Sequence, residues 1–184
     1  DDIDPETGLT LPVDFFQEKK WYKNGKQHRN EIDPITGLTL PAQICTNYSQ
    51  YWYKDGGEHR DEIDPYTGLT LPAQICINYS QYWYKNGKEH RDDIDPKTGF
   101  TLPAVIWHDT KKWYKNGKEH RDDIHPEAGI TLHSSILNNT IIKWYKNGKE
   151  NWDDIDPNTG RNLPSKIWGN EKVKFYKDRI KFNP

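Results

Sequence analysis

Histidine recurs at a near-constant interval, at His28, His59, His90 and His120, and a row of imidazoles in register would be a candidate metal ladder. A zinc site, however, needs several ligands converging at short spacing. Here each His has an Arg beside it and a Trp seven residues before it, so the position reads as structural and no metal is expected. The acidic run Asp92-Asp93-Ile94-Asp95-Pro96 offers oxygen ligands of the kind calcium takes, but it lacks the alternating acidic loop closed by a bidentate Glu. Turn formation and solvation are its expected uses. Adjacent carboxylates such as Asp61 and Glu62 have the composition of a glycosidase pair, yet that chemistry needs two groups facing each other across a cleft. Neighbours on a strand point to opposite faces. The chain also carries no GxSxG elbow, no GxxxxGK phosphate loop and no HExxH. Neither an enzyme nor a cofactor is expected.

What places these side chains is a repeat. The aromatic pair of a WYKNG motif begins at Trp21, Trp52, Trp83, Trp113 and Trp144, in steps of 31 residues and once 30, with a degenerate Phe175-Tyr176-Lys177-Asp178 one step further on. IDPxTG keeps the same step at Ile3, Ile32, Ile63, Ile94, Ile124 and Ile155, changed at the fifth copy to Ile-His-Pro-Glu-Ala-Gly. Six copies fill residues 1–184, leaving no room for a separate catalytic domain. A repeat this short cannot bury its own apolar face and must stack on its neighbours.

Turn chemistry gives each repeat its strands. Asn24-Gly25, Asp55-Gly56, Asn86-Gly87, Asn116-Gly117 and Asn147-Gly148 are type I′ hairpin signals between extended-favouring residues. With Asn24 and Gly25 as the two loop residues, Lys23 faces Lys26, Tyr22 faces Gln27 and Trp21 faces His28. The fifth hairpin departs, with Asn151 at the His position and Trp152 at the Arg position. Leu38, Leu40, Ala42 and Ile44 alternate with polar residues and predict a seven-residue half-buried strand, repeated at Leu69, Leu71, Ala73, Ile75 and at Phe100, Leu102, Ala104, Ile106. Pro41, Pro72 and Pro103 must break it, bulge it or hold it at an edge. Ser134 and Ser165 replace the Ala later in the chain, thinning the apolar strip.

The expected fold is all-β: an elongated open array, meander or solenoid, of about six antiparallel hairpin repeats of roughly 31 residues. Its apolar share is 33%, well under the roughly 45–50% of ordinary domains, but 8 Trp and 11 Tyr bury large areas with few residues. A net charge of −2 gives no footprint for nucleic acid, and no apolar run is long enough for a membrane span. The chain has no Met, even at position 1, and its opening Asp1-Asp2-Ile3-Asp4-Pro5 recurs internally, so it reads as a fragment of a longer one.

Cys45 and Cys76 occupy equivalent positions and read as buried small apolar side chains. Asn47, Asn78 and Asn138 begin N-glycosylation sequons, all expected in turns. Residues 161–184 hold seven basic side chains against Glu171 and Asp178, whereas the start holds Asp1, Asp2, Asp4 and Glu6. The segment 161–184 reads as a degenerate C-terminal cap.

Along WYKNGKEHRDDIDP, with Trp113, Tyr114, Lys115, Asn116, Gly117, Lys118, His120 and Arg121, and along Pro103-Ala104-Val105-Ile106, the chain resembles the WYKNGKxHR repeat proteins abundant in giant DNA viruses of amoebae. More distantly it is similar to bacterial MORN-type repeats with a YYxNGK core. That resemblance covers nearly the whole chain and implies an all-β repeat with a structural or interaction role, in the virion or the infected host's cytoplasm; it brings no catalytic residues. Two functions follow as expectations. One is a scaffold whose repeated face binds protein, including other copies of itself. The other is a carbohydrate-binding array in which rows of aromatic rings stack on sugars. Burial of the hairpin Trp separates them.

Overall fold

A computed structural model describes residues 3, 8–15, 18–150, 154–155, 159–169, 173–174, 176–177 and 180–181. Asp1, Asp2, Asp4, Glu6, Asn151, Trp152, Glu171, Lys172, Phe175, Asp178 and Arg179, on which the readings of the two ends and of the fifth hairpin rest, lie outside the described residues. The protein is all-β, and no described residue is helical. It divides into two compact units, residues 1–88 and 89–184.

In the first unit the ladder strands run Val13–Phe15, Glu18–Lys20, Gln43–Ile44, Gln50–Tyr51, Gln74–Ile75 and Gln81–Tyr82, each antiparallel to the next. The second repeats the scheme with Val105–Trp107, Thr110–Lys112, Ser135–Leu137, Ile141–Lys143, Lys166–Trp168 and Val173–Lys174. Within each unit strand order follows chain order, the mark of an open meander with no closure into a barrel.

Each repeat adds to its two ladder strands a tight hairpin, such as Tyr22–Lys23 with Lys26–Gln27. Register is the one the turn dictates: Tyr22 pairs with Gln27 and Lys23 with Lys26, and the His28 N–H donates to the Trp21 carbonyl at 3.1 Å. All five turns carry positive φ at both loop positions, from Asn24 and Gly25 (51° and 71°) to Asn147 and Gly148 (53° and 80°). That is the type I′ geometry whose twist matches flanking strands.

The predicted seven-residue strand from Leu38 to Ile44 is shorter than its alternation suggests. Thr39 makes an isolated bridge with Ile32, and the ladder strand begins only at Gln43. Pro41 lies between them and has no N–H to give, so the ladder restarts beyond it. Alternation recorded half-burial correctly, since Leu38, Leu40 and Ile44 are all half-buried, while strand continuity was set by the proline. The IDPxTG segment is a closed loop: the Asp33 N–H donates to the Leu38 carbonyl, and the Asp33 carboxylate accepts from the Ile35 N–H.

Burial is concentrated in very few residue types. The five hairpin Trp are between 5% and 9% exposed, and Ala42, Ala73 and Ala104 are fully enclosed. Ser134 and Ser165 take over the Ala position at 1% exposure, and the Ser134 hydroxyl accepts from the Tyr145 N–H at 2.7 Å. The strip therefore changes chemistry toward the C-terminus without opening. A β-branched side chain at φ 76° is strongly disfavoured, so Gly117→Val should cost about 1–2 kcal/mol and lower Tm by about 3–6 °C. Thermal melting by circular dichroism checks this, and an unchanged Tm would refute the turn's role.

Candidate functional site

The repeated element with the densest side-chain chemistry is the seam between one repeat and the next. It is built on the hairpin Trp. Its backbone N–H donates to the carbonyl at the Ala position one repeat on, Trp21 to Ala42 at 3.0 Å and Trp52 to Ala73 at 2.8 Å. Its indole Nε1–H donates backward to the loop threonine carbonyl, as Trp21 to Thr10, Trp52 to Thr39, Trp83 to Thr70 and Trp113 to Thr101, each at 2.8 Å. Trp144 does the same to Thr131 at 3.1 Å.

An arginine covers the Trp ring. The guanidinium carbons of Arg29 and Arg60 lie 3.9 Å from the ring centres of Trp21 and Trp52, and that of Arg121 lies 4.2 Å from Trp113. Each Arg Nε donates to the carboxylate two residues on: Arg29 to Glu31 (2.8 Å), Arg60 to Glu62 (2.9 Å), Arg91 to Asp93 and Arg121 to Asp123 (2.7 Å). Nη1 reaches a carbonyl twelve residues ahead, at Pro41, Pro72, Pro103 or His133. Burial pulls the Arg60, Arg91 and Arg121 guanidiniums below their usual value, with the carboxylates opposing it.

The same carboxylate locks the preceding repeat. Glu62 accepts the Thr39 N–H and hydroxyl at 2.6 Å each, and Asp123 accepts the Thr101 N–H at 3.0 Å and its hydroxyl at 2.5 Å. Glu31 and Thr10, and Asp154 and Thr131, repeat the contact. Burial works to raise the Glu31 and Glu62 carboxyls, but hydrogen bonds from threonine and arginine outweigh it and hold both below the ordinary range. Glu62 therefore contributes stability that is present above the unfolded pKa, about 4.3, and lost as pH falls through the lower folded value.

The histidines bind hairpin to hairpin. Nδ1 of His28, His59, His90 and His120 accepts the N–H of the next turn's first residue, Asp55, Asn86, Asn116 and Asn147, at 3.1 Å in each case. An accepting Nδ1 puts the proton on Nε2, and that nitrogen lies 3.2, 2.6 and 2.7 Å from Asp61, Asp92 and Asp122 for His59, His90 and His120. The N–H of the turn glycine completes the tip, with Gly56, Gly87, Gly117 and Gly148 donating to the carbonyls of Gln27, Glu58, Glu89 and Glu119. The site positions expected from the repeat thus sit on the hairpins within each unit: Trp21, Trp52, Trp83, His28, His59, Gly25, Gly56 and Gly87 in the first, and Trp113, Trp144, His90, His120, Gly117 and Gly148 in the second. Among the described residues no group of three or more His, Cys, Asp or Glu could hold a metal ion. The acidic run is divided between partners: Asp92 faces His90, Asp93 takes Arg91 and Asp95 accepts the Lys97 N–H.

Sequence reasoning missed the arginine and the threonine. Their signal is present as Arg-x-Glu or Arg-x-Asp at four periods, Arg29, Arg60, Arg91 and Arg121. The pattern alone does not point to the threonine partner, which lies 21 to 23 residues away. His133, at the position that proline takes earlier, was also missed; it stands edge-on between Trp113 and Trp144, 5.7 and 6.1 Å from their ring centres. Burial, then the charge of Arg121, pushes it down to about 4. Cys45 and Cys76 are free and half-buried, where full burial was expected, because each opens the exposed turn that carries its sequon. The Asn47 side chain accepts the Ser49 N–H in that turn at 3.1 Å.

Glu119 and Glu150 each enclose an Oε1 without a hydrogen bond, and at Glu119 burial, opposed by Lys112, a Ser135 hydrogen bond and Lys143, raises the group to about 7. Its contribution is intact below the unfolded pKa and lost as pH rises through 7, on the order of 3 kcal/mol in all. Glu119→Gln should therefore be more stable than the parent at pH 8 and equal to it near pH 4, as measured by urea unfolding. Glu62→Ala, which strands the buried Arg60, should cost about 3 kcal/mol at pH 7. Asp61→Ala, at an exposed neighbour, should cost under about 1 kcal/mol in the same assay. No protein-family model, curated protein or solved structure matches the chain.

Proposed function

We propose that the chain is a non-enzymatic repeat scaffold whose periodic face engages protein, with a second copy of itself as the first partner. The observation that carries this reading is the burial of the hairpin Trp. Each ring is 5–9% exposed, its N–H is occupied by a threonine carbonyl, and at Trp21, Trp52 and Trp113 an arginine lies over the ring face. A ring held in this way is a packing element with no face left for a sugar.

What each repeat offers solvent is a half-exposed isoleucine from the IDPxTG loop, Ile32 and Ile63 in the first unit and Ile94, Ile124 and Ile155 in the second, at 48–51%. Within each unit, apolar side chains recurring at one spacing form a face that a second copy matches with its own. The likeness of the hairpins to the WYKNGKxHR repeats of giant DNA viruses extends the proposal to a virion or host-interaction component. No described helix is long and apolar enough to cross a membrane.

Light scattering behind size exclusion tests the reading. The parent's mass should rise with concentration, and the quadruple variant Ile32→Lys, Ile63→Lys, Ile94→Lys, Ile124→Lys should stay monomeric with an unchanged circular dichroism spectrum. A parent that is monomeric at every concentration, yet binds immobilised polysaccharide until Tyr48→Ala and Tyr79→Ala are introduced, would overturn it in favour of the sugar reading. Tyr48 and Tyr79, 78% and 86% exposed, are the rings that reading would need.

A further inference from the structure

The hairpin tips carry a charge pattern that the fold itself does not require. Lys115 stands directly across from Lys118, and Lys146 from Lys149. Lys23 and Lys26 pair in the same register. Like charges placed opposite each other on two strands are unfavourable. The hairpin of Tyr53–Lys54 and Gly57–Glu58 keeps that register with Gly57 across from Lys54, so the turn forms without the second lysine. All of these lysines are exposed.

Stacking turns the pairs into a row. In the second unit the Gly148 N–H donates to the Glu119 carbonyl at 2.9 Å and the Asn147 N–H to His120 at 3.1 Å, which fixes the tip at 146–149 beside the tip at 115–118. The Lys118 stem lies along the next turn, with Cβ and Cγ 3.6 and 3.7 Å from the point where a Cβ on Gly148 would stand. Lys26 lies along Gly56 in the first unit in the same way, at 3.7–3.9 Å. Each repeat advances the ladder by two strands, about 9–10 Å, so lysines recur at that step within a unit. Two carboxylates stand near the row, Asp61 at 3.9 Å from Lys54 and Asp122 at 3.6 Å from Lys115, but exposed pairs of this kind hold little energy. A net charge of −2 thus conceals a segregated basic line.

We propose that the row of hairpin-tip lysines within each unit binds an anionic polysaccharide, the ammonium groups pairing with sulfates or carboxylates along a linear chain. Charge complementarity asks for an anion, and the composition of the tips selects its kind. Between the lysines the tips hold only Asn or Asp and Gly. Protein interfaces are depleted in lysine and draw their energy from buried aromatic and arginine anchors, which the tips lack. Bidentate recognition of phosphate uses arginine, and Arg29, Arg60, Arg91 and Arg121 are all held by carboxylates in the seams. Single-stranded nucleic acid also needs aromatic platforms for its bases, whereas Tyr114 and Tyr145 beside the second unit's tips are half-buried. A bilayer takes in apolar side chains, and the tips have none to insert.

A glycan chain held in this way is gripped by point charges and not by ring stacking. The contact therefore involves neither the buried Trp nor the exposed Tyr48 and Tyr79, and it leaves the isoleucine face free for a second copy. Its failure would show as lost glycan binding at unchanged mass, whereas failure of self-association would show as a mass that does not rise with concentration.

The test measures binding of the intact chain to heparin and to polygalacturonate, one sulfated and one carboxylated. Binding to at least one is expected at low salt, weakening about tenfold or more when salt is raised fourfold, as for a contact made by several lysines. Lys115→Gln, Lys118→Gln, Lys146→Gln and Lys149→Gln together keep the stems and remove the charges of one row. Lys23→Gln, Lys26→Gln, Lys85→Gln and Lys88→Gln do the same for the other. Each set should weaken binding and the two combined should abolish it, with Tm no lower than the parent's because opposed like charges are gone. A control with Lys19→Gln, Lys97→Gln and Lys111→Gln, exposed lysines off the tips, should bind within about twofold of the parent. No binding to either glycan at low salt, or equal losses in the control and the row variants, would overturn the proposal. Tighter binding to oligothymidylate or to phosphatidylserine vesicles than to either glycan would overturn it as well, by assigning the row to nucleic acid or membrane.

Discussion

The seams at Trp21, Trp52 and Trp113 depend on a guanidinium held between an indole face and a carboxylate. Removing an arginine from water is costly unless its charge is paired and its N–H groups are occupied. Arg60 meets those conditions with Trp52 below it, Glu62 at Nε and the Pro72 carbonyl at Nη1. Glu62 in turn is held by Thr39 of the repeat before, so each member of the set is satisfied only when two repeats are in register. Stability in this protein is consequently a property of seams, and a repeat taken alone would keep its hairpin turn while stranding its charges.

This arrangement explains how a chain with 33% apolar residues folds at all. Burial is supplied by one large ring and one methyl-sized residue per repeat, and polar groups that would normally stay in water are enclosed in matched sets. Where matching fails the consequence is local, as at Glu119, whose buried carboxyl leans toward its neutral form. His133, at the sequence position that proline holds in earlier repeats, lies between the Trp113 and Trp144 rings, where burial favours its uncharged form.

The sequence was legible where chemistry is local. Asn24-Gly25 specified turn type and register without reference to anything distant, and Pro41 announced the break in its strand. Half-burial could be read from the alternation of Leu38, Leu40 and Ile44, but strand length could not, because continuity depends on a donor that proline lacks. Contacts between repeats were illegible for a different reason. Arg60 and Glu62 are neighbours in sequence, and nothing in their spacing points to Thr39; only stacking brings that threonine within reach. The histidines illustrate the same limit, since Trp52 and His59 meet across one hairpin while the partner of His59 Nδ1 is Asn86, 27 residues on.

Because the seams within each unit pair equivalent threonine donors with a carboxylate, they are junctions that can be exchanged. Thr39 meets a glutamate and Thr101 an aspartate, and both arrangements satisfy the same two threonine donors. A deletion or duplication of one whole period would therefore bring together groups that already know how to pair, and the joint would close without any new complementarity. Length in such a protein is free to vary in whole-repeat steps while the chemistry of each joint stays constant, each added repeat bringing its own seam with it.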